Sequence, residues 1–213
     1  PKAYYWGDRN RIWSAGGILQ FRESVTRERG QNEIDRGQFD RDTEVDFVNG
    51  CAMLARREAF EKAGLWDPIY RLSVEDADFC FRMKRHGLRC RYAHRARLWH
   101  MVAFATQGVY KAGKTFHTGR STMIFVRRYA TPLQTLASFL FMIAAVPAAY
   151  LRELRYGNQA AALAKARGFW DGLRTPLAPP PTWEPRHRPD PALLPGTRRE
   201  PPHDSSEQAA RAR

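Results

Sequence analysis

Hydrophobic and polar positions divide the chain into stretches that predict different structures. Residues 1–44 are polar apart from short apolar pieces at Ile12-Trp13 and Ile18-Leu19, interrupted by Gly16-Gly17. That pattern predicts a strand, a turn and a strand, followed by a charged loop rich in Arg, Asp, Gln and Gly. Val45, Phe47 and the run Cys51-Ala52-Met53-Leu54 read as strand material around Asn49-Gly50. Arg56 to Ala63 reads as a short helix closed by Gly64 in a left-handed C-cap. Ser73-Val74-Glu75-Asp76 has the form of a capping box, with Asp in place of the usual Glu or Gln. Phe79, Met83 and Leu88 then space like a buried helix face, with Arg82, Lys84 and Arg85 outside and Gly87 as the stop. Leu88, Cys90 and Tyr92 alternate with Arg89 and Arg91, the period of a strand.

The second half changes character. Residues 101–128 predict an amphipathic helix ending in Arg127-Arg128. From Tyr129 to Leu151 there is no charged residue, and the 19 residues from Leu133 approach the length that crosses a bilayer. Basic residues flank the run on both sides (Arg127 and Arg128, Arg152 and Arg155), so the positive-inside rule assigns no orientation. Gln134, Thr135, Ser138 and Pro147 dilute its apolarity, which favours a helix lying in the membrane surface over a full span; a buried core helix is the third reading. Ten of the fourteen prolines fall from Pro176 onward, and that tail is expected to be disordered.

Composition narrows the partners. The 35 Lys and Arg against 22 Asp and Glu give a net charge of +13, which favours phosphates or an anionic surface. Between Arg82 and Arg97 lie seven basic residues, but Tyr92 is the only aromatic among them. Nucleic-acid binding by stacking or groove insertion is therefore not expected. Cys51, Cys80 and Cys90 show no C-x-x-C spacing and are odd in number, which predicts buried reduced thiols of a cytosolic protein. The chain opens on strand-like Ala3-Tyr4-Tyr5-Trp6 without an initiator Met, so it is expected to begin inside a fold.

The chemistry concentrates in one ordered series: Val45-Asp46-Phe47-Val48-Asn49-Gly50-Cys51-Ala52-Met53-Leu54, Gly64-Leu65-Trp66-Asp67, Glu75-Asp76-Ala77-Asp78-Phe79-Cys80-Phe81-Arg82, and Trp99-His100. Taken alone, Glu75, Asp76 and Asp78 are acids of the kind that complement any helix N-terminus. Taken alone, His100 is an ordinary half-buried histidine. Taken together and in this order, with Ile12-Trp13-Ser14-Ala15-Gly16-Gly17 upstream and Gly119-Arg120-Ser121-Thr122 downstream, the series resembles glycosyltransferase family 2, in particular its rhamnosyltransferase-like branch. The resemblance covers roughly residues 1–175.

The resemblance implies specific roles. Asp76, the second acid of the pair, would be the general base that takes the proton of an acceptor hydroxyl, with Glu75 orienting it or meeting the acceptor. A place in the first turn of a helix would favour the charged form of Asp76. Asn49, Gly50, Trp66, Asp67 and Trp99 would face the acceptor. His100 would ligate a divalent cation, Mg or Mn, that stabilises the leaving nucleoside diphosphate; His86 and His94 lie among arginines and have weaker claims. Asp40-Arg41-Asp42 and Asp76-Ala77-Asp78 carry the letters of an Asp-x-Asp metal motif, but the first lies in a loop between substrate elements and the second in the base helix.

The expected fold is α/β: the C-terminal part of a glycosyltransferase A-type, Rossmann-like domain over residues 1–118, a helical membrane-associating extension over 119–175, and a disordered Pro-rich tail over 176–213. The expected activity is inverting transfer from a nucleotide-diphosphate sugar to a hydroxyl of a cell-surface or lipid-linked saccharide, at the cytoplasmic side of the cell membrane, peripheral or single-span. The donor-binding half and its metal motif would lie upstream of Pro1. The alternative is a catalytically incompetent remnant that binds membranes or a partner.

Overall fold

The computed structural model describes residues 1–22, 24–102 and 111–184. The small hydrophobic strands assemble as expected of a mixed α/β chain. Strands β1 (Lys2–Tyr5) and β2 (Asp8–Ser14) form an antiparallel hairpin with Ala3 opposite Ser14 and Tyr4 opposite Ile12. Strand β7 (Arg97–His100) adds in parallel on the other side of β1, in register from Lys2–Arg97 to Tyr5–His100. Two further pairs are antiparallel: β3 (Gly17–Leu19) with β4 (Thr26–Glu28), and β5 (Thr43–Val45) with β6 (Cys90–Tyr92). A bridge from Gly17 to Phe47 joins them, and only glycine fits there because a Cβ would meet the Phe47 ring.

The helices are α1 (Arg57–Ala63), α2 (Glu75–Arg85), α3 (Ala112–Tyr129), α4 (Pro132–Leu154) and α5 (Gln159–Arg174). Two i,i+4 ion pairs, Arg57–Glu61 and Glu58–Lys62, support α1, and Gly64 at φ 78° ends it as predicted. Helix α2 buries Phe79, Cys80 and Met83. Its Phe81 packs against Phe125 and Tyr129 of α3, at ring separations of 5.4 and 4.5 Å. Met123, Ile124, Phe125 and Val126 are buried, so the second half of α3 belongs to the same core as the strands. The boundary expected at residue 118 falls inside this continuous helix. Helices α3 and α5 approach backbone to backbone: a methyl at Gly168 would collide with the carbonyl of Phe116, and one at Gly119 with that of Lys165.

Several local expectations are corrected. Cys51–Leu54 is not a strand; Gly50–Ala52 is a single 3-10 turn, and Leu54 is 99% exposed. Cys51 is exposed, while Cys80 and Cys90 are buried free thiols. No capping box forms at Ser73, because Ser73 and Val74 both take left-handed backbone conformations, φ 65° and 75°. That turns the Ser73 hydroxyl toward Thr118 of α3, 3.3 Å away. A true capping box forms instead at α4, where Thr131 and Gln134 exchange hydrogen bonds ahead of Pro132. The helix predicted over 101–128 is seen from Ala112; residues 103–110 lie outside the described residues.

The Pro-rich tail expected to be disordered from 176 is docked as far as Trp183. The Pro181 carbonyl accepts from Leu65 N–H at 2.9 Å. The Ala178 carbonyl accepts from Arg128, and the Trp183 ring lies 6.1 Å from Phe60. Proline carbonyls are acceptors that need no regular secondary structure, so a segment that cannot form helix or sheet is still held here. The remainder of the tail, 185–213, lies outside the described residues.

Candidate active site

The site is built where the Asn49–Ala52 turn meets the start of α2. The Asp76 carboxylate accepts from two backbone donors, Gly50 N–H at 2.9 Å and its neighbour Ala77 N–H at 2.8 Å. Burial pushes its pKa up, and the two N–H bonds pull against that rise. The position was expected to favour the charged form through the helix terminus; desolvation is the larger effect. The result is a half-buried carboxylate tethered by two backbone N–H groups, with raised basicity. Glu75 beside it is also raised, by burial and by the Asp76 charge, and its Oε2 is buried with no hydrogen-bond partner among the described residues. The two successive left-handed residues, Ser73 and the β-branched Val74, lie immediately before this pair. Such backbone is costly and concentrates at functional sites.

Asn49 lies at the other edge of the turn, donating to Glu28 of β4 at 2.8 Å and contacting Ser14 Oγ at 3.0 Å. Glu28 and Ser14 were not singled out as site residues. Nothing in the local pattern marks Glu28, because it reaches the site only through the β3–β4 pairing. Burial drives its pKa up to about 7, opposed by hydrogen bonds to Ser14 and Asn49, with the Asp76 charge adding to the rise.

The remaining candidates separate. Trp66 is 45% exposed and packs edge-on against Phe79, one turn along α2 from the acid pair. Trp99 is 43% exposed, stacked on Tyr4, with its indole N–H donating to the Arg9 carbonyl at 3.3 Å. The Trp99 ring also has the Arg9 guanidinium 5.9 Å from its centre. Asp67 cannot serve as expected: it is buried, ion-paired to Arg128 at 2.7 Å, and caps the Ile69 N–H. It holds the fold rather than an acceptor. Asp78 likewise works inside the core, bonded to Arg82 at 2.8 Å and to the Tyr129 hydroxyl at 2.7 Å.

His100 ends β7 with its ring 4.5 Å from Trp13. Its pKa is lowered by burial and by the Lys114 charge, which leaves a neutral imidazole with a lone pair to offer. Helix α3 carries both Lys114, whose charge acts on His100, and Thr118 one turn later, which meets Ser73 ahead of α2. No three His, Cys, Asp or Glu side chains converge into a metal cage among the described residues. Asp40 and Asp42 do not supply one, since Asp40 bonds Lys2 and Asp42 bonds His94.

The profile described as glycosyltransferase-like family 2 matches residues 9–118, half of the chain. The chain belongs to glycosyltransferase family 2. The matched span contains the Ser14–Gly17 turn, the Asn49–Ala52 turn, the acid pair and His100. Comparison with curated proteins and with solved structures returned no match. A glycosyltransferase of this family implies a nucleotide-sugar donor and an acceptor; the family-2 glycosyltransferase domain accounts for the α/β architecture seen here.

Proposed function

We propose that this glycosyltransferase performs inverting transfer of a hexosyl group, of the rhamnosyl kind, from a nucleotide-diphosphate sugar to a hydroxyl of a cell-surface or lipid-linked saccharide. Asp76 takes the acceptor proton as the acceptor oxygen forms its bond to the anomeric carbon; the bond to the diphosphate breaks on the opposite face. The observation that carries this reading is the Asp76 carboxylate itself, half-buried, raised in pKa and held by the Gly50 and Ala77 N–H groups. Glu75 orients the base or meets the acceptor, and Asn49, Gly50, Trp66 and Trp99 border the acceptor.

A divalent cation, Mg or Mn, would neutralise charge on the leaving diphosphate. His100 fits as one ligand because it is neutral; such a cation needs further oxygen ligands, which substrate phosphates commonly supply. Membrane association is the second part of the proposal. Helix α4 spans 23 residues, 18 of them in a stretch of mean hydropathy 1.6, and most of its apolar side chains are exposed. Its inner side rests over α3 and α5 around an apolar cavity of about 290 Å³ lined by residues including Met123, Phe139, Val146 and Trp170. A helix tied to the folded body along one side supports a surface-lying arrangement at the cytoplasmic face, with the outer side in the lipid boundary; a single span is the alternative. No nucleic-acid partner is proposed.

The purified protein, assayed with Mn²⁺ or Mg²⁺ against a panel of nucleotide-diphosphate sugars and lipid-linked or free saccharides, should form a product of inverted anomeric configuration. Hydrolysis or transfer with retained configuration contradicts the mechanism. No transfer with any donor, alongside retained vesicle binding, would support a non-catalytic membrane- or partner-binding role.

A further inference from the structure

Glu28, Ser14 and Asn49 form a closed triangle of contacts. Ser14 Oγ lies 2.6 Å from Glu28 Oε2 and 3.0 Å from Asn49 Oδ1, and Asn49 Nδ2 lies 2.8 Å from Glu28 Oε1. Three contacts need three bridging protons. Asn49 supplies one, because a single amide N–H points along one edge, and Ser14 supplies one through its only O–H. The Gly16 N–H donates to Ser14 Oγ at 3.2 Å from outside the triangle and bridges none of its edges. If Glu28 is ionised, one edge has two acceptors and no proton. If Glu28 is the neutral acid, its own O–H closes the ring. Exchanging the O and N of the Asn49 amide reverses the direction of the ring but leaves the count unchanged.

From this proton count we propose that Glu28 is held as a neutral carboxylic acid and is a positioning residue of the site, locking the Asn49–Gly50 turn so that the Gly50 N–H stays on Asp76. The proposal rests on the glycosyltransferase reading for its function but not for its chemistry. Ser14 is buried, so water does not replace the missing proton cheaply. The Glu28 pKa, raised to about 7, agrees in direction. The Asp76 charge at the start of α2 raises Glu28, and Glu28 in turn raises Cys51 in the turn and Tyr5 of β1; the Pro1 amino group lines the same small pocket as Asn49 and Cys51 and interacts with Cys51. A neutral Glu28 also spares Asp76 a second negative charge. As pH rises past about 7, Glu28 ionises, one edge of the ring opens, and the new charge discourages ionisation of Asp76.

Isotope-edited infrared titration of the purified protein reads the ring directly. A neutral-acid carbonyl band should be present at about pH 6, vanish as pH passes about 7, and be missing from Glu28→Gln. Absence of that band in the wild type overturns the proposal whether or not the protein transfers sugar. The positioning role is read from the Asp76 carboxyl by carbon NMR. Its titration should move upward in Glu28→Ala, which frees the turn, and return towards the wild-type position in Glu28→Gln, whose amide donates to Ser14 and accepts from Asn49. In a transfer assay, Glu28→Ala should lose about tenfold or more in kcat with little change in KM, and Glu28→Gln should recover most of it and lose the decline above about pH 7. If Glu28→Gln is as damaged as Glu28→Ala in both readouts, the side chain acts as a carboxylate and the proposal fails. If the band and the Asp76 shift appear but no donor supports transfer, the ring stands and the glycosyltransferase reading is what fails.

Discussion

Helices α2 and α4 are both rich in apolar side chains, and they dispose of them in opposite ways. Helix α2 buries Phe79, Cys80 and Met83, and it buries charge as well: Asp78 is fully enclosed and satisfied by Arg82 and Tyr129. The N–H groups of Gly50 and Ala77 meet Asp76, and Glu75 Oε2 is the buried atom of α2 left without a hydrogen-bond partner among the described residues. In α4, Leu133, Leu136, Leu140, Ile143 and Leu151 are between 56% and 76% exposed. A row of exposed leucines on a 23-residue helix is an apolar surface that the other described residues leave uncovered. The same residue types form an enclosed helix where acids and arginines are threaded among them to be paired inside, and an exposed apolar face where they are not.

The comparison breaks most visibly on the α4 side. Leu136→Ser, Leu140→Ser and Ile143→Ser together should release the protein from anionic vesicles, since each fully buried side chain contributes about 1.5–3 kcal/mol. The same changes should move folding stability only within about 0.5 kcal/mol each. Vesicle flotation and denaturant unfolding check the two halves, and an unfolded triple variant would mean that α4 is core after all. Attraction of the flanking arginines to acidic lipid adds about 1 kcal/mol each and is screened by salt. A surface-lying helix should therefore be partly released by high salt or alkaline carbonate, whereas a span would resist both.

On the α2 side, Asp78→Ala strands Arg82 inside the core and should cost about 3–5 kcal/mol, as breaking a buried ion pair does. Denaturant midpoints measure this, and a change below about 1 kcal/mol, the usual value of an exposed pair, would contradict the buried network. The smallest effect is a pH slope. The folded-state pKa of Glu28 is raised from its ordinary 4.5 to about 7, so the native state holds a proton that the unfolded chain releases. Stability from this group is present below about pH 4.5 and declines as pH rises towards 7. In Glu28→Gln that part of the decline should disappear from a pH series of melting temperatures.

Much of this was legible in the residues. The Gly64 and Gly87 stops follow from residue type, and the burial of Phe79 and Met83 and the alternation of Cys90 and Tyr92 follow from periodicity; Arg82, expected outside, is instead buried against Asp78. The acid pair of Glu75 and Asp76 is recognisable because its neighbours occur in a fixed order. What was hidden is long-range. Asp67 follows Trp66 in the motif series, yet Arg128, 61 residues away, claims its carboxylate. Glu28 is one acid in a charged stretch until β3 and β4 pair and carry it beside Ser14 and Asn49. The docking of residues 176–183 depends on backbone carbonyls of Ala178 and Pro181, which no side-chain pattern displays.

The account turns on Asp76 as the group that takes the acceptor proton. The most direct test compares wild type and Asp76→Asn by kcat across pH, with melting temperature as the control for the fold. The amide keeps the size of the side chain and an oxygen for the Gly50 N–H but gives up the bond from the Ala77 N–H, so stability should fall by only about 1–3 kcal/mol and the fold should remain. Turnover should fall about 10²-fold or more, and the rise of activity as the carboxyl ionises should vanish with it. Near-normal turnover in Asp76→Asn, or an unchanged rising limb, would show that another group removes the proton.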